Sequence, residues 1–310
     1  MFDIIGKKWL YFLFSGLVIV PGIISVILWG INPGIDFSGG TLLELKFEQT
    51  QNRPAGTRLK TQNLDNEIKR IADNQKLEIG SIQSSGENTF LLRLKPIDKD
   101  QNQKLQEELK KQYGGVNELR FETVGPTVGK ETAEKAVKAV IVASLAIIAY
   151  VAWAFRSIPK PYSSIRFGIS AVIALIHDVL VIVGLFSIFG HFFKVEVDSL
   201  FITALLTIMG FSVHDTIVVF DRIRENLRKM PGTPFAQVVN ESIIQTLARS
   251  LSTSLTVLFT LFALLLFGGE TIHWFIIALL IGITSGTYSS VFNAAPLLVV
   301  WEEWGKKKTA

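Results

Sequence analysis

Cysteine is absent, so the chain can form neither a disulfide nor a thiolate metal site. The four histidines have no metal-ligand spacing and no His-Glu-x-x-His run occurs, so no metal and no cofactor is expected. Charge is scarce too: 19% of the 310 residues are Asp, Glu, Lys or Arg, while 49% are hydrophobic and mean hydropathy is +0.38. That balance excludes an ordinary soluble globule and fits a polytopic membrane protein carrying one polar domain. In such a chain a net charge of +4 speaks to orientation, and no nucleic-acid partner is inferred. No nucleophile motif stands beside any histidine, so the chain is not expected to be an enzyme.

What is present reads in order. Residues 1–8 form a short N-terminus with Lys7 and Lys8, followed by an apolar run over 9–30 with Trp9 and Trp29 at its ends. That run is long enough to span a bilayer, and no small-residue cleavage site follows it, so an uncleaved start-transfer helix is expected. Residues 31–130 hold most of the polar residues. Within them Thr41–Glu48 alternates as a strand, and Thr61–Asn74 places Leu64, Ile68 and Ile71 at helical spacing. Glu78–Ser84 and Thr89–Leu94 read as paired strands around Ser85-Gly-Glu-Asn88. Asp98 reads as the N-cap of a helix carrying Leu105 and Leu109 and stopped by Gly114-Gly115; Val116–Val124 is a last strand. The order β-α-β-β-α-β predicts an α+β, ferredoxin-like domain over the stretch 41–124. Five more spans are predicted within 131–302, at about 134–154, 167–189, 199–220, 247–267 and 274–300, with 303–310 as a C-terminal tail. Residues 221–246 are read as a polar connection.

Orientation follows from basic residues in short segments. One side collects Lys7, Lys8, Arg156, Lys160 and Arg166, then Arg222, Arg224, Arg228, Lys229 and the run Lys306 to Lys308; the short loops opposite hold Lys194 alone. By the positive-inside rule both termini are cytoplasmic and residues 41–124 lie outside.

Three of the predicted spans carry ionisable groups. The third has His177-Asp178, the fourth His214-Asp215-Thr216, and the fifth Arg249. Asp215 lies about six residues, roughly 9 Å of helix, inside the boundary marked by Asp221 and Arg222. A carboxylate at that depth is costly and is expected to face a bundle interior or a wet cavity. Arg249 falls at a similar depth, so an ion pair with Asp215 is expected, making that acid a candidate for taking and losing a proton. Asp178 is a further candidate, with His177, His214 and Thr216 as supporting groups. Small and hydroxyl residues on the sixth span (Gly282, Gly286, Ser285 to Ser290, Asn293) and on the fifth (Ser250, Ser252, Thr253) suit close packing, hydrogen bonds or a wetted path.

Gly34-Ile-Asp-Phe-Ser-Gly-Gly40, Val124-Gly-Pro, His177-Asp178, Gly210–Asn226 and Ser285–Ser290 resemble the SecF family of protein-export membrane proteins, within the SecD/SecF group of the RND superfamily. The resemblance covers all six spans and the polar domain. It implies an α-helical polytopic membrane protein with six transmembrane helices, an RND-type half, and an extracytoplasmic ferredoxin-like domain between helices 1 and 2. It further implies a bacterial inner-membrane subunit that pairs with SecD. Such a subunit serves the SecYEG translocon, with YajC as a further candidate partner, and draws on the proton-motive force to move preproteins. By resemblance Asp215, Arg249 and Asp178 form the proton relay, while Asp36, Gly39 and Gly40 form a structural turn. His214 stands where Asn is also common in relatives. An RND-type exporter of small molecules or lipids and a passive translocon scaffold are the alternatives.

Overall fold

A computed structural model describes residues 3–48, 61–86, 88–156, 158–159 and 162–307. Lys160 and Lys308 of the charge pattern and Glu87 of the predicted turn lie outside the described residues. The chain divides into two compact units, Pro33–Ala136 and Met1–Asn32 with Val137–Ala310.

The first unit holds α2 (Ile35–Ser38), β1 (Gly40–Phe47), α3 (Thr61–Asn74), β2 (Ile79–Gly86), β3 (Thr89–Leu94), α4 (Lys99–Tyr113) and β4 (Val116–Val124). The strands form one antiparallel sheet in the order β2-β3-β1-β4, the ferredoxin-like arrangement. Strand alternation turns Leu43, Leu45 and Phe47 to one face, where they meet Leu92 of β3, Leu64 and Ile68 of α3, and Leu105 and Leu109 of α4. Phe47 stands edge-on to Phe90 and Tyr113, with centroids 5.5 and 5.6 Å away. Helix α4 starts on a capping box: Gln101 N donates to Asp98 Oδ1 at 2.8 Å and Asp98 N to Gln101 Oε1 at 3.0 Å. It stops at Gly114 with φ of 83°.

The second unit is the helical bundle. Its helices are α1 (Lys8–Trp29), α5 (Pro126–Ala154, beginning in the first unit), α6 (Ser164–Phe193), α7 (Ser199–Lys229), α8 (Phe235–Phe267), α9 (His273–Ser289) and α10 (Ala295–Lys307). A π turn, Ser290–Ala294, joins the last two without a break. Among the described residues, six helical segments, with α9 and α10 counted as one, are long and apolar enough to cross a membrane.

Helices approach where small residues allow it. A Cβ on Gly22 of α1 would lie 3.0 Å from the Gly184 Cα of α6, and beside this contact Ser25 and Ser187 share a 2.7 Å hydrogen bond. A Cβ on Gly286 of α9 would lie 2.9 Å from the Ser212 Cβ of α7, and one on Gly282 would strike Ile208.

Several helices outrun the expected spans, because hydropathy marks the lipid-compatible part and not the end of the helix. The polar stretch 221–246 is mostly helical. Helix α7 continues to Lys229, α8 begins at Phe235, and a short turn joins them. Polar residues extend these helices through one-turn ion pairs, Arg222–Glu225 at 2.6 Å and Glu225–Lys229 at 2.5 Å. Across the hairpin Asn226 Nδ2 donates to Ser242 Oγ at 2.9 Å, and Arg222 Nε to Gln245 Oε1 at 2.6 Å. Likewise α5 starts at Pro126, where a residue without N–H fits the first turn.

Candidate functional site

Asp178 and Asp215 are buried among helices, 1% and 2% exposed, but their surroundings differ. Asp178 on α6 is saturated. Ser285 Oγ donates to its Oδ1 at 2.8 Å, while Ser289 Oγ and Ser212 Oγ donate to Oδ2 at 2.7 and 2.5 Å. His177 Nδ1 lies 3.0 Å from Oδ1, and its Nε2 lies 3.0 Å from Ser15 Oγ of α1. Asn293 Nδ2 in the π turn donates to the same Ser15 hydroxyl at 2.8 Å. One carboxylate thus ties α6 to α7 and α9, and through His177 to α1. Such a node is held in place by several buried hydrogen bonds, individually worth about 0.5–1.5 kcal/mol.

Asp215 on α7 is turned toward the hydroxyls of Ser250 and Ser254 on α8 and Thr287 on α9. Its Oδ2 and the Ser250 Oγ are buried without a hydrogen-bond partner among the described residues. Ser254 and Thr287 instead bond each other at 2.6 Å. The next residue along α7, Thr216, shares a 2.8 Å bond with Ser290 of the π turn, and Ser290 Oγ also reaches the Ser212 carbonyl at 3.1 Å. The Asp178 network thus reaches Thr216, the residue next to Asp215, through Ser212 and Ser290. π turns are frequent at functional sites, and here the turn sets Ser290, directly after Ser289 that donates to Asp178, against Thr216 of α7.

The expected ion pair is not formed. Arg249 is exposed on the surface of α8, and no ion pair joins it to Asp215 among the described residues. The reason is angular: Ser250 and Ser254 face Asp215, and the residue before Ser250 is turned by about 100° around the helix. His214 is exposed for the same reason, one step from Asp215 on α7. Of the hydroxyl residues beside Arg249 on α8, Ser250 and Ser254 are buried; Ser252 is exposed, and Thr253 bonds back to the Arg249 carbonyl at 3.0 Å. The serines that hold Asp178 were not singled out as its partners from sequence. Their signal was the four-residue spacing of Ser285 and Ser289, which puts both on one helical face.

Asp36 sits in the first turn of α2, and Gly39 and Gly40 follow with φ of 73° and 134°. A Cβ on Gly39 would lie 2.8 Å from the Pro126 Cα, and one on Gly129 would lie 2.7 Å from the Gly39 N. Both glycines are needed for this turn to lie against the first turn of α5, within the first unit.

Together these features define a polytopic membrane protein with carboxylates inside its bundle and a small α+β domain inserted after the first span. Residues 104–304 match the family described as protein export membrane protein SecD/SecF, C-terminal, and residues 30–51 match the SecD/SecF GG motif. The chain belongs to the SecF family of protein translocase subunits, a family of protein-export components. It is 46% identical to the SecF of Thermobaculum terrenum, covering 97% of this chain and 94% of that one. It is 44% identical to the SecF of Anaerolinea thermophila, over 98% and 96%. The crystal structure of SecDF from Thermus thermophilus superposes with a TM-score of 0.80 at 33% identity, covering 97% of this chain and 39% of that one. The chain thus spans about two fifths of the SecDF length, and such fused relatives support association of SecF-type with SecD-type parts.

Proposed function

We propose that this chain pairs with SecD beside the SecYEG translocon and uses the proton-motive force to promote late steps of preprotein translocation. It does so by conformational work, without covalent chemistry and without a cofactor. The observation that carries this reading is Asp215, an acid 2% exposed whose Oδ2 has no hydrogen-bond partner among the described residues. A carboxylate at this depth in a helix bundle is costly, and in this reading it exchanges a proton when water or a cation reaches it. Asp178 is the hydrogen-bond anchor for Ser285 and Ser289 of α9. Arg249, immediately before Ser250, is the cation that swings toward Asp215 in the alternate packing. The clustering of basic residues at one end of the spans supports cytoplasmic termini in a bacterial inner membrane, with residues 41–124 outside.

Each proton that crosses the membrane potential releases about 2.3 kcal/mol per 100 mV. That energy would move the external domain and the partner's against the emerging chain. Export into vesicles carrying Asp215→Asn tests the reading: proton-driven export should fall to the level seen without a gradient, with SecD still bound. A passive scaffold is the second reading, favoured by the saturated Asp178 network. It expects export to persist after the proton gradient is dissipated.

A further inference from the structure

At the end of the bundle where α1 begins, a cleft of about 600 Å³ opens between the N-terminal turn Ile5–Lys7, the start of α8 and α10. Its size is that of a small-molecule site. A gap of this kind between helix ends is ordinarily filled by solvent, but the walls of this one are fixed in place. Asn240 of α8 accepts from the backbone N–H of Ile4 at 2.9 Å and of Ile5 at 3.3 Å, which pins the turn to the bundle. Gly6 N donates to Asp3 Oδ1 at 2.8 Å, and a Cβ on Gly6 would strike that carboxylate, so the acid is folded back over the turn. Lys8 of α1 reaches Glu303 of α10 at 2.6 Å. Asp3, Lys8 and Glu303 all line the cleft, together with Trp9 and Gln237. Two carboxylates against one ammonium leave it a surplus of negative charge.

Trp9 also marks the membrane surface, standing exposed near the start of the first span. Leu13 and Leu17 repeat its position about one and two turns deeper along α1, and both are exposed. A molecule whose polar end enters the cleft therefore meets an apolar track for a hydrocarbon tail on the same face of α1. We propose that the cleft holds the headgroup of an aminophospholipid of the phosphatidylethanolamine type, with an acyl chain along Trp9, Leu13 and Leu17. A primary ammonium carries several N–H donors, which suit the carboxylates of Asp3 and Glu303 and the side-chain oxygen of Gln237. Lys8 gives one N–H to Glu303 and has others to offer the lipid phosphate. A phosphatidylglycerol headgroup brings the phosphate without the cation and is repelled by the surplus charge. A trimethylammonium headgroup matches the charge but donates no hydrogen bond. The bound lipid ties the starts of α1 and α8 to α10. This site stands apart from the reading of Asp215.

The test uses the full chain reconstituted with its SecD partner in phosphatidylglycerol vesicles. These carry a minor fraction of photoactivatable phosphatidylethanolamine or phosphatidylcholine, and cross-links are mapped by peptide. Phosphatidylethanolamine should label α1 between Trp9 and Leu17, and phosphatidylcholine should label it several-fold less. Asp3→Asn combined with Glu303→Gln leaves Lys8 as the only charge lining the cleft. Labelling by phosphatidylethanolamine should then fall about threefold or more, and labelling by a photoactivatable phosphatidylglycerol should rise. Asp3→Glu combined with Glu303→Asp keeps both charges and should retain the labelling, as should Asp221→Asn, which lies away from the cleft. An unchanged melting temperature in the double variants separates loss of the lipid from loss of the fold. Equal labelling of α1 by phosphatidylethanolamine and phosphatidylcholine would overturn the proposal, as would undiminished labelling in Asp3→Asn with Glu303→Gln. Full displacement of the lipid by soluble phosphoethanolamine would overturn it too, since the ligand would then be a free amine phosphate and not a lipid.

Discussion

The Ser212 hydroxyl of α7 lies 2.5 Å from the Asp178 carboxylate of α6, so the helix carrying Asp215 is anchored by an acid that belongs to its neighbour. Two antiparallel helices with matching His-Asp pairs do not bring those pairs together. Instead each acid finds serines, and α9 with its π turn supplies hydroxyls to both networks.

Removing the Asp178 node should show first in stability. Asp178→Leu leaves the hydroxyls of Ser212, Ser285 and Ser289 without their acceptor, and should cost about 3 kcal/mol or more of unfolding free energy. Asp178→Asn keeps one acceptor oxygen and should cost less. Unfolding in mixed detergent micelles measures both, and equal stabilities would argue against the node.

Arg249 separates function from stability. Because its side chain is exposed and forms no ion pair with Asp215 among the described residues, Arg249→Met should change unfolding free energy by no more than about 0.5 kcal/mol. Proton-driven export should nonetheless be lost in that variant. A melting temperature far below the parent's would show instead that Arg249 is part of the packing.

The glycine turn admits a paired comparison. Gly39→Ala places a Cβ 2.8 Å from the Pro126 Cα at a φ of 73°, and should destabilise by about 1–3 kcal/mol. Gly125→Ala, with nothing within 4 Å of the new atom, should be close to neutral. Amide exchange of the turn and of strand β1 reads the difference locally.

At the close contact of α7 with α9, Gly286→Leu would drive its side chain into Ser212. It should separate the helices and weaken the bonds from Ser285 and Ser289 to Asp178. Loss of both stability and export is expected, whereas Gly210→Ala, with open space around it, should preserve both.

Much of this architecture is written locally. The alternation of Thr41–Phe47, the Asp98 cap and the glycine stop after α4 are short-range signals, and the domain follows from them. Burial of Asp215 and Asp178 was legible too, because an acid in an apolar run has few places to go. Which way Arg249 points was not. Sequence depth alone pairs it with Asp215, yet the facing of α8 is set by Ser250 and Ser254 packing on α7 and α9. The helical hairpin of residues 221–246 was hidden because hydropathy falls silent outside the lipid, where ion pairs at one-turn spacing take over. The π turn was hidden as well; only Pro296 two residues beyond it, lacking an N–H for the helix ladder, hinted at irregular backbone.

The most direct measurement is export of a preprotein arrested late in translocation, in vesicles with an imposed proton gradient, comparing the parent chain with Asp215→Asn. Loss of the gradient-dependent component, with SecD still co-purifying, is the expected result. Full gradient-dependent export by Asp215→Asn would contradict the claim that this buried acid carries the proton.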